Sequence, residues 1–189
     1  MRLLLENKTA VITGAARGIG KAIAKRFAEE GCNIAFTDLN EESIRATEAE
    51  LTALGIKAKG YVSNAADFND VENTVKQIHQ DFGTIDVLVN NAGITRDTLM
   101  MRMTEKQWDD VITVNLKSAF NFIHAIVPIM AQFLTSKSSV FTSISVNFSM
   151  HLQFLNFILK LKKAHLKILY QQHSFSVRNL HQVMQEQRV

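Results

Sequence analysis

Short apolar runs alternate with longer amphipathic stretches along the first 133 residues of this chain. The apolar runs predict strands at residues 8–13, 33–37, 56–62 and 85–89. Stretches in which apolar side chains recur every three or four residues predict helices at residues 18–30, 41–54, 68–82 and 115–133. Strands and helices in this alternation are typical of an α/β fold with a doubly wound parallel sheet and right-handed crossovers.

A glycine-rich turn joins the first predicted strand to the first predicted helix, and residues 13–20 read Thr-Gly-Ala-Ala-Arg-Gly-Ile-Gly. Gly14 allows a tight turn, Gly18 lets the backbone approach a pyrophosphate, and Gly20 lets the helix pack close to the strand. The unpaired N–H groups at the start of the helix also attract phosphate. The turn therefore predicts a dinucleotide site whose cofactor-binding residues include Thr13, Gly14, Arg17, Gly18, Ile19 and Gly20.

The last third of the chain differs from the rest in glycine content and in charge. All eight glycines lie in the first 93 residues. Residues 1–133 carry 14 basic and 17 acidic groups (net −3), whereas residues 134–189 carry 7 basic and 1 acidic group (net +6). We therefore predict a dinucleotide-binding domain over residues 1–133 and an atypical tail over residues 134–189. The tail pattern favours a strand at 138–146 and a basic amphipathic helix at 152–169.

The composition excludes several classes of protein. With 47% hydrophobic and 21% charged residues, the chain is typical of a soluble globular domain. The single cysteine, Cys32, excludes an intramolecular disulfide, and no run reaches the roughly 18 apolar residues of a membrane span. The histidines lack the paired spacing of metal ligands, so no metal site is predicted. We expect a cytoplasmic protein without a nucleic-acid or membrane partner.

Two further motifs follow the glycine turn. Asn90-Asn91-Ala92-Gly93 comes directly after the fourth predicted strand, and Val114-Asn115-Leu116-Lys117 lies at the start of the last predicted helix. In this order and spacing, the three motifs resemble the short-chain dehydrogenase/reductase family over residues 3 to about 133. The resemblance implies a Rossmann-type sheet with its strands in the spatial order 3-2-1-4-5, incomplete at its C-terminal side in this chain.

The resemblance also implies an activity and roles for residues. The activity is NAD(P)H-dependent reduction of a 3-oxoacyl thioester, as a small molecule or bound to a carrier protein in fatty-acid biosynthesis. Asn90, Ala92 and Gly93 would complete the cofactor site. Asn115 would be a catalytic residue that kinks its helix and helps to hold a proton-relay water, and an internal helix cap is its alternative interpretation. The helix over residues 115–133 resembles the family's oligomer helix, so a homo-oligomer is expected.

Two residues of the predicted cofactor site give opposite signals about the cofactor. Asp38 ends the second predicted strand, where a carboxylate accepts hydrogen bonds from the adenosine ribose and repels a 2′-phosphate, which favours NAD(H). Arg17 lies inside the glycine turn and is able to pair with a 2′-phosphate, which favours NADP(H). Asn64 occupies a position where the family often has an aspartate for the adenine amine. The cofactor is therefore predicted as NADP(H) or NAD(H).

The sequence departs from the family in its catalytic residues. The family's Tyr-x-x-x-Lys pair supplies a proton from a tyrosine whose pKa the lysine lowers. The two tyrosines of this chain are Tyr61, in the third predicted strand, and Tyr170, which has no lysine four residues later. Ser145 lies near the position of the family's catalytic serine, and Lys162 lies 17 residues further on. Both are predicted catalytic residues, and coincidence is the alternative.

A shift of reading frame offers one explanation of the tail. If the third base of each codon is joined to the first two of the next, the junction of Phe157 and Ile158 permits Tyr or His. The following junctions permit Ser, Lys, Ala and Lys, the last at Leu161 and Lys162, which restores Tyr-x-x-x-Lys. On this hypothesis the residues from about 134 were not selected to pack.

Three functions follow from these features. The first is an oxidoreductase of the family type, impaired or inactive in this chain. The second is a non-catalytic dinucleotide-binding fragment. The third is a nucleic-acid or membrane-surface binder that uses the lysines at 160, 162, 163 and 167, although such a basic segment is more often a solvated face.

Overall fold

A computed structural model of the chain describes residues 3–132 and, as backbone, 142–145. Five strands form one sheet: β1 (Thr9–Thr13), β2 (Asn33–Asp38), β3 (Ala58–Val62), β4 (Val87–Asn90) and β5 (Thr142–Ser145). The helices are α1 (Gly18–Glu29), α2 (Glu41–Thr52), α3 (Phe68–Phe82), α4 (Glu105–Val111) and α5 (Ser118–Gln132). A 3-10 turn over Met100–Arg102 precedes α4, and a π-helical segment, Ile112–Lys117, joins α4 to α5.

All pairings in the sheet are parallel, and the strand order is β3-β2-β1-β4-β5. This confirms the order 3-2-1-4-5 that the family resemblance implies. The register sets Thr13 opposite Thr37, and Asn90 opposite Ser145. Because the strands are parallel and in register, the loops that follow them leave from one common edge of the sheet.

Alternate residues of the central strands supply two separate cores. Ile12 and Phe36 belong to the core on one face, together with apolar side chains of α1 and α2. Val11 and Ala35 belong to the core on the other face, with apolar side chains of α3 and α5. The near-continuous apolar strands of the sequence are explained by this burial on both faces of a parallel sheet.

The helix boundaries follow local signals where such signals exist. Asp67 caps α3 by accepting a hydrogen bond from Asp70 N, and Gly83, with φ of 75°, ends it, so the predicted bounds 68–82 are met. Thr104 and Gln107 form the capping box expected from the sequence at the start of α4. The prediction differs for the next helix, because α4, the π segment and α5 are continuous and Asn115 lies inside them rather than at a helix start.

The continuous helix Glu105–Ala131 is long and apolar enough to cross a membrane by length and composition alone. Its apolar character has a use within the domain, because Phe122, Ile126 and Met130 are buried in the core shared with α3. The strand predicted at 138–146 is observed as β5, so the sheet continues beyond residue 133. The basic helix predicted at 152–169 lies outside the described residues.

Candidate functional site

The loops after the first four strands meet at the carboxyl edge of the sheet, where open α/β sheets bind their ligands. The first is the glycine turn, in which Gly14 has φ of 65° and Gly18 has φ of 56°. A Cβ atom on Gly14 would lie 2.9 Å from the Ala92 Cα atom. On Gly20 a Cβ would lie 2.5 Å from both the Gly14 carbonyl oxygen and the Asn91 Nδ2 atom. Glycine is therefore required at positions 14 and 20 because neighbouring protein atoms leave no room for a side chain there.

Gly18 differs, because a Cβ atom there would meet no protein atom within 4 Å. It is the first residue of α1, so the unpaired N–H groups of that helix begin at this open surface. Arg17 and Ile19 on either side are exposed. This open cradle at a helix N-terminus fits the diphosphate of a dinucleotide.

Asp38 at the end of β2 is bound to the glycine turn. Its Oδ2 atom accepts a hydrogen bond from Ala16 N at 3.1 Å, and its Oδ1 atom accepts one from Leu39 N at 2.8 Å. Ala15 N also donates to the Thr37 carbonyl oxygen at 3.1 Å. The carboxylate is thus fixed beside the glycine turn, as a ribose-binding residue needs to be.

A side-chain clip joins the glycine turn to the loop after β4. The Thr13 hydroxyl accepts hydrogen bonds from Asn91 N at 3.0 Å and Ala92 N at 2.9 Å. In return, Asn91 Nδ2 donates to the carbonyl oxygens of Thr13 and Gly14, at 3.0 and 2.9 Å. Asn91 has no role of its own among the sequence predictions, although its position as the second asparagine of the Asn90-Asn91-Ala92-Gly93 motif was a signal for one. Its bonds fix the geometry of the glycine turn.

Asn90 is the buried member of the same loop. Its side chain is 3% exposed, and neither its Nδ2 nor its Oδ1 atom has a hydrogen-bonding partner among the described residues. Buried amides are normally satisfied by protein, water or ligand. The role of Asn90 in the cofactor site remains a prediction. Gly93, three residues further on, is exposed.

The loop after β3 contains Asn64, which is exposed. Its backbone N–H donates to Asp70 Oδ2 at 2.6 Å, and its Oδ1 atom accepts a hydrogen bond from Ala66 N at 3.1 Å. An amide oxygen has two lone pairs, so one acceptor position remains after the bond to Ala66. The predicted contact of Asn64 with the adenine amine remains a prediction.

Asn115 is 6% exposed and lies in the π-helical segment. Its Oδ1 atom accepts a hydrogen bond from Ile94 N at 2.8 Å, and its Nδ2 atom donates to the Ile94 carbonyl oxygen at 3.0 Å. The side chain therefore ties the helix to the loop after β4. π-Helical turns often occur at functional sites, and this one interrupts the helix where the family resemblance implies a kink.

The remaining catalytic predictions are only partly described. The backbone of Ser145 ends β5 opposite Asn90, at the carboxyl edge of the sheet. Lys162 lies outside the described residues. Tyr61 lies in β3, at the opposite edge of the sheet from β5. Its hydroxyl donates to Asp81 Oδ2 at 2.6 Å, and burial together with this bond raises the tyrosine pKa. Tyr61 is thus not placed or tuned to act as the family's proton donor.

A parallel α/β sheet with an open glycine cradle and a carboxylate at the end of β2 defines a dinucleotide-binding domain of the Rossmann type. The chain belongs to the short-chain dehydrogenase family, whose model, described as short chain dehydrogenase, matches residues 8–154. The match continues past residue 133, where the resemblance read from the sequence ended.

Curated relatives of the chain share this region. It is 45% identical over 139 residues to 3-oxoacyl-(acyl-carrier-protein) reductase FabG of Staphylococcus aureus strain Mu50. The matched region covers 73% of this chain and 55% of that protein. It is 47% identical over 126 residues to the protein of the same name from Thermotoga maritima, covering 67% and 51% of the two chains. The chain thus spans about half the length of the curated relatives it matches.

Solved structures are similar over the same region. A short chain dehydrogenase from Burkholderia cenocepacia, in complex with NADP, is 36% identical with a TM-score of 0.64, covering 69% of this chain and 53% of that one. A putative short-chain alcohol dehydrogenase from Sinorhizobium meliloti is 32% identical with a TM-score of 0.66, covering 70% and 52%. The fold of the described residues is therefore that of this family.

Proposed function

We propose that this chain binds NAD(H) or NADP(H) and derives from an oxidoreductase that reduces 3-oxoacyl thioesters carried on acyl carrier protein. The observation that carries the proposal is the open surface at Gly18, with Asp38 fixed beside the glycine turn and the Asn90–Gly93 loop bound to Thr13 in the same turn. Two further findings support it, the names of the relatives from Staphylococcus aureus and Thermotoga maritima and the NADP bound to the Burkholderia cenocepacia structure.

The chemistry divides between the cofactor and the protein. A bound nicotinamide supplies hydride to the substrate carbonyl. The start of α1 holds the diphosphate and Asp38 holds the adenosine ribose. The oxygen and the nitrogen of the Asn115 amide are both bonded to Ile94. Asn115 would therefore contribute by holding the π-helical segment against the loop after β4. The proton-relay water assigned to it by family resemblance would be held by the backbone of this interrupted helix.

The chain lacks the Tyr-x-x-x-Lys pair from which the family's proton donor comes. Tyr61 is bound to Asp81, and Tyr170 has no lysine four residues later. A missing general acid costs about 10²–10⁴ in rate. We therefore propose that the chain is impaired or inactive as a reductase. A non-catalytic dinucleotide-binding fragment is the second candidate, favoured by the absence of Tyr-x-x-x-Lys from the sequence.

Calorimetric titration of the purified chain with NADH and NADPH tests the proposal, and an assay with a 3-oxoacyl thioester separates the two candidates. Binding with slow turnover supports an impaired reductase, and binding without turnover supports the fragment. Absence of binding by both cofactors overturns both candidates. The variant Tyr61→Phe should leave any turnover unchanged, because its hydroxyl is engaged at the edge of the sheet.

Asp38 gives the proposal a cofactor preference. The carboxylate is held against the glycine turn by Ala16 N, so a 2′-phosphate on the neighbouring ribose would meet a fixed negative charge. We propose that NADH binds more tightly than NADPH, and that Asp38→Ser reduces or reverses the difference. Tighter binding of NADPH by the unaltered chain would instead assign the selection to Arg17, which is exposed at the start of α1.

A second copy of the chain is the partner we propose for the outer face of α5. Phe120 is 57% exposed and Val127 is 37% exposed on this helix, within the predicted oligomer segment 115–133. Sedimentation of the unaltered chain and of Phe120→Glu tests the contact, because a buried charge would dissociate the oligomer. A monomeric unaltered chain contradicts it. We further propose a cytoplasmic location, without nucleic-acid or membrane partners.

The coding DNA tests the frame-shift hypothesis directly. Because β5 is formed and the family match runs to residue 154, we propose that the change of frame falls after Ser145 and before Phe157. The shifted frame should then encode Tyr-x-x-x-Lys from the junction of Phe157 and Ile158. Any other sequence in that frame removes the hypothesis, and the tail then belongs to the chain as it stands.

A further inference from the structure

One continuous helical stretch holds two of the loops at the carboxyl edge of the sheet. In its π-helical segment, the Asn115 amide is bonded to Ile94 in the loop after β4. In α5, Asn121 Nδ2 donates to the Ala65 carbonyl oxygen at 3.0 Å, in the loop after β3. The family resemblance gives a role to the first asparagine and none to the second.

The contact of Asn121 is long-range and buried. Its side chain is 1% exposed, and 56 residues separate it from Ala65. The other hydrogen bonds of the loop over residues 63–67 are mostly local, such as Ala66 N to Asn64 Oδ1 and Asp67 N to the Asn64 carbonyl oxygen. Among the described residues, the Asn121 amide makes the side-chain hydrogen bond that joins α5 to this loop.

The Asn121 amide is only half used by the described residues. Its Oδ1 atom has no hydrogen-bonding partner among them, and neither has the Ser63 hydroxyl in the loop. Its Nδ2 atom satisfies the Ala65 carbonyl oxygen, which an apolar side chain would leave without that bond. What the amide supplies is a directed bond to one point of the loop.

That loop lies beside the residues proposed to bind the adenosine half of the cofactor. Ser63 N donates to the Asp38 carbonyl oxygen at 3.0 Å, so the loop is joined to the end of β2. Asn64, the residue expected to meet the adenine amine, directly precedes Ala65. A displacement of Ala65 would therefore move the adenine contact while leaving the glycine cradle in place.

We propose that Asn121 is a positioning residue for the adenine end of the dinucleotide, acting through its hydrogen bond to the Ala65 carbonyl oxygen. This inference rests on the proposed function. The two asparagines then hold different loops, Asn115 the loop after β4 and Asn121 the loop after β3. A variant that disrupts only the second contact weakens binding of the adenosine half alone.

The test uses the full chain and the variant Asn121→Leu, in which shape is nearly kept and the amide is lost. Hydrogen exchange at residues 63–67 should become about threefold to tenfold faster, as expected for the loss of one hydrogen bond. Binding of NADH and of ADP-ribose should weaken by similar factors in calorimetric titration. ADP-ribose lacks the nicotinamide, so equal losses exclude the nicotinamide as the cause; binding of adenosine should weaken as well, which separates the adenine end from the diphosphate.

Ser118→Ala is the matched control, because Ser118 is also buried on α5 and its hydroxyl bonds within the helix, to the Val114 carbonyl oxygen. It should change neither the exchange nor the binding. Asn121→Ala serves as a second variant if leucine prevents folding. Unchanged exchange at 63–67, or a loss for NADH without one for ADP-ribose, overturns the positioning role. If the unaltered chain binds neither ligand, the proposed function fails, and the adenine role fails with it.

Discussion

The glycine turn and strand β3 both contain a glycine with other atoms packed closely against it. The two regions differ in which atoms surround their glycines. In β3, a Cβ atom on Gly60 would lie 2.3 Å from Ile44 Cγ2 and 2.7 Å from the Phe36 Cζ atom. In the turn, Gly20 is crowded by backbone, whereas Gly18 faces open space. Packing within the protein explains Gly60 and Gly20.

Positive φ does not by itself indicate a ligand site, because Gly55 and Gly83 also combine positive φ with open space, at the ends of α2 and α3. Gly18 has the same backbone but lies at the start of a helix, beside unpaired N–H groups. Substitutions at Gly20, Gly60 and Gly18 separate glycines needed for folding from the glycine needed for binding.

The largest effect is expected for Gly20→Ala. The added methyl group would lie 2.5 Å from the Gly14 carbonyl oxygen and 2.9 Å from the Ala15 Cα atom, which are backbone atoms that cannot rotate away. We expect a loss of about 3 kcal/mol in the free energy of unfolding, together with loss of dinucleotide binding. Urea denaturation and titration with NADH measure the two. A variant of unaltered stability would show that the turn is not packed as described.

A smaller loss is expected for Gly60→Ala, about 2 kcal/mol, because the atoms it meets belong to buried side chains that are able to shift slightly. Binding of NADH should be retained, since β3 contacts the core rather than the cradle. Denaturation and titration on the same preparations check this. Weaker binding at full stability would contradict the separation of the two regions.

Gly18→Ala should have the opposite effects to Gly60→Ala, with a smaller loss of stability and a larger loss of NADH binding. The methyl group meets no protein atom, so the cost in stability is that of a left-handed residue, about 1 kcal/mol. Binding of NADH should fall by at least about tenfold, because the methyl group occupies the space of the diphosphate. Gly55→Ala is the matched control: it has the same strain and open surroundings, and should leave binding unchanged. Equal binding by both variants would remove Gly18 from the site.

The smallest effect is expected at the outer edge of the sheet. Lys59 Nζ lies 2.7 Å from Asp81 Oδ2, and this bond, with that of Tyr61, lowers the pKa of the Asp81 carboxyl. Because the folded-state pKa is depressed, the stabilisation is present above about pH 4 and is lost as the pH falls through the lowered pKa. Lys59→Gln should therefore cost less than about 1 kcal/mol at pH 7, and the difference should vanish in acid.

Denaturation from pH 2 to 7 measures this difference. Lys76→Gln is its control, because Lys76 lies 3.8 Å from Glu72 in an exposed pair on α3. It should show a smaller pH-dependent change. A difference at Lys59 that does not decrease as the pH falls would exclude Asp81 as its cause.

Local signals explain which elements the sequence alone predicts well. The bounds of α3 follow from the Asp67 cap and Gly83. The third strand is predicted from residue 56 but begins at Ala58, since Ile56 packs against the core without joining the ladder. The start of the helix at Glu105 has a capping box, yet the run Ile112-Thr113-Val114 hides its continuity into α5. Within this continuous helix, Asn115 is bonded to Ile94, which lies 21 residues earlier in the sequence.

The sequence by itself determined the alternation of strands and helices and the separate roles of the glycines in the turn, because periodicity and turn chemistry act between neighbours along the chain; the strand order followed from the family resemblance. Only the tertiary structure gave Asn91 its bonds to the turn, engaged Tyr61 with Asp81 and brought Asn121 to Ala65. These contacts join residues far apart in sequence. Their partners are chosen by packing of whole strands and helices, which no local pattern records.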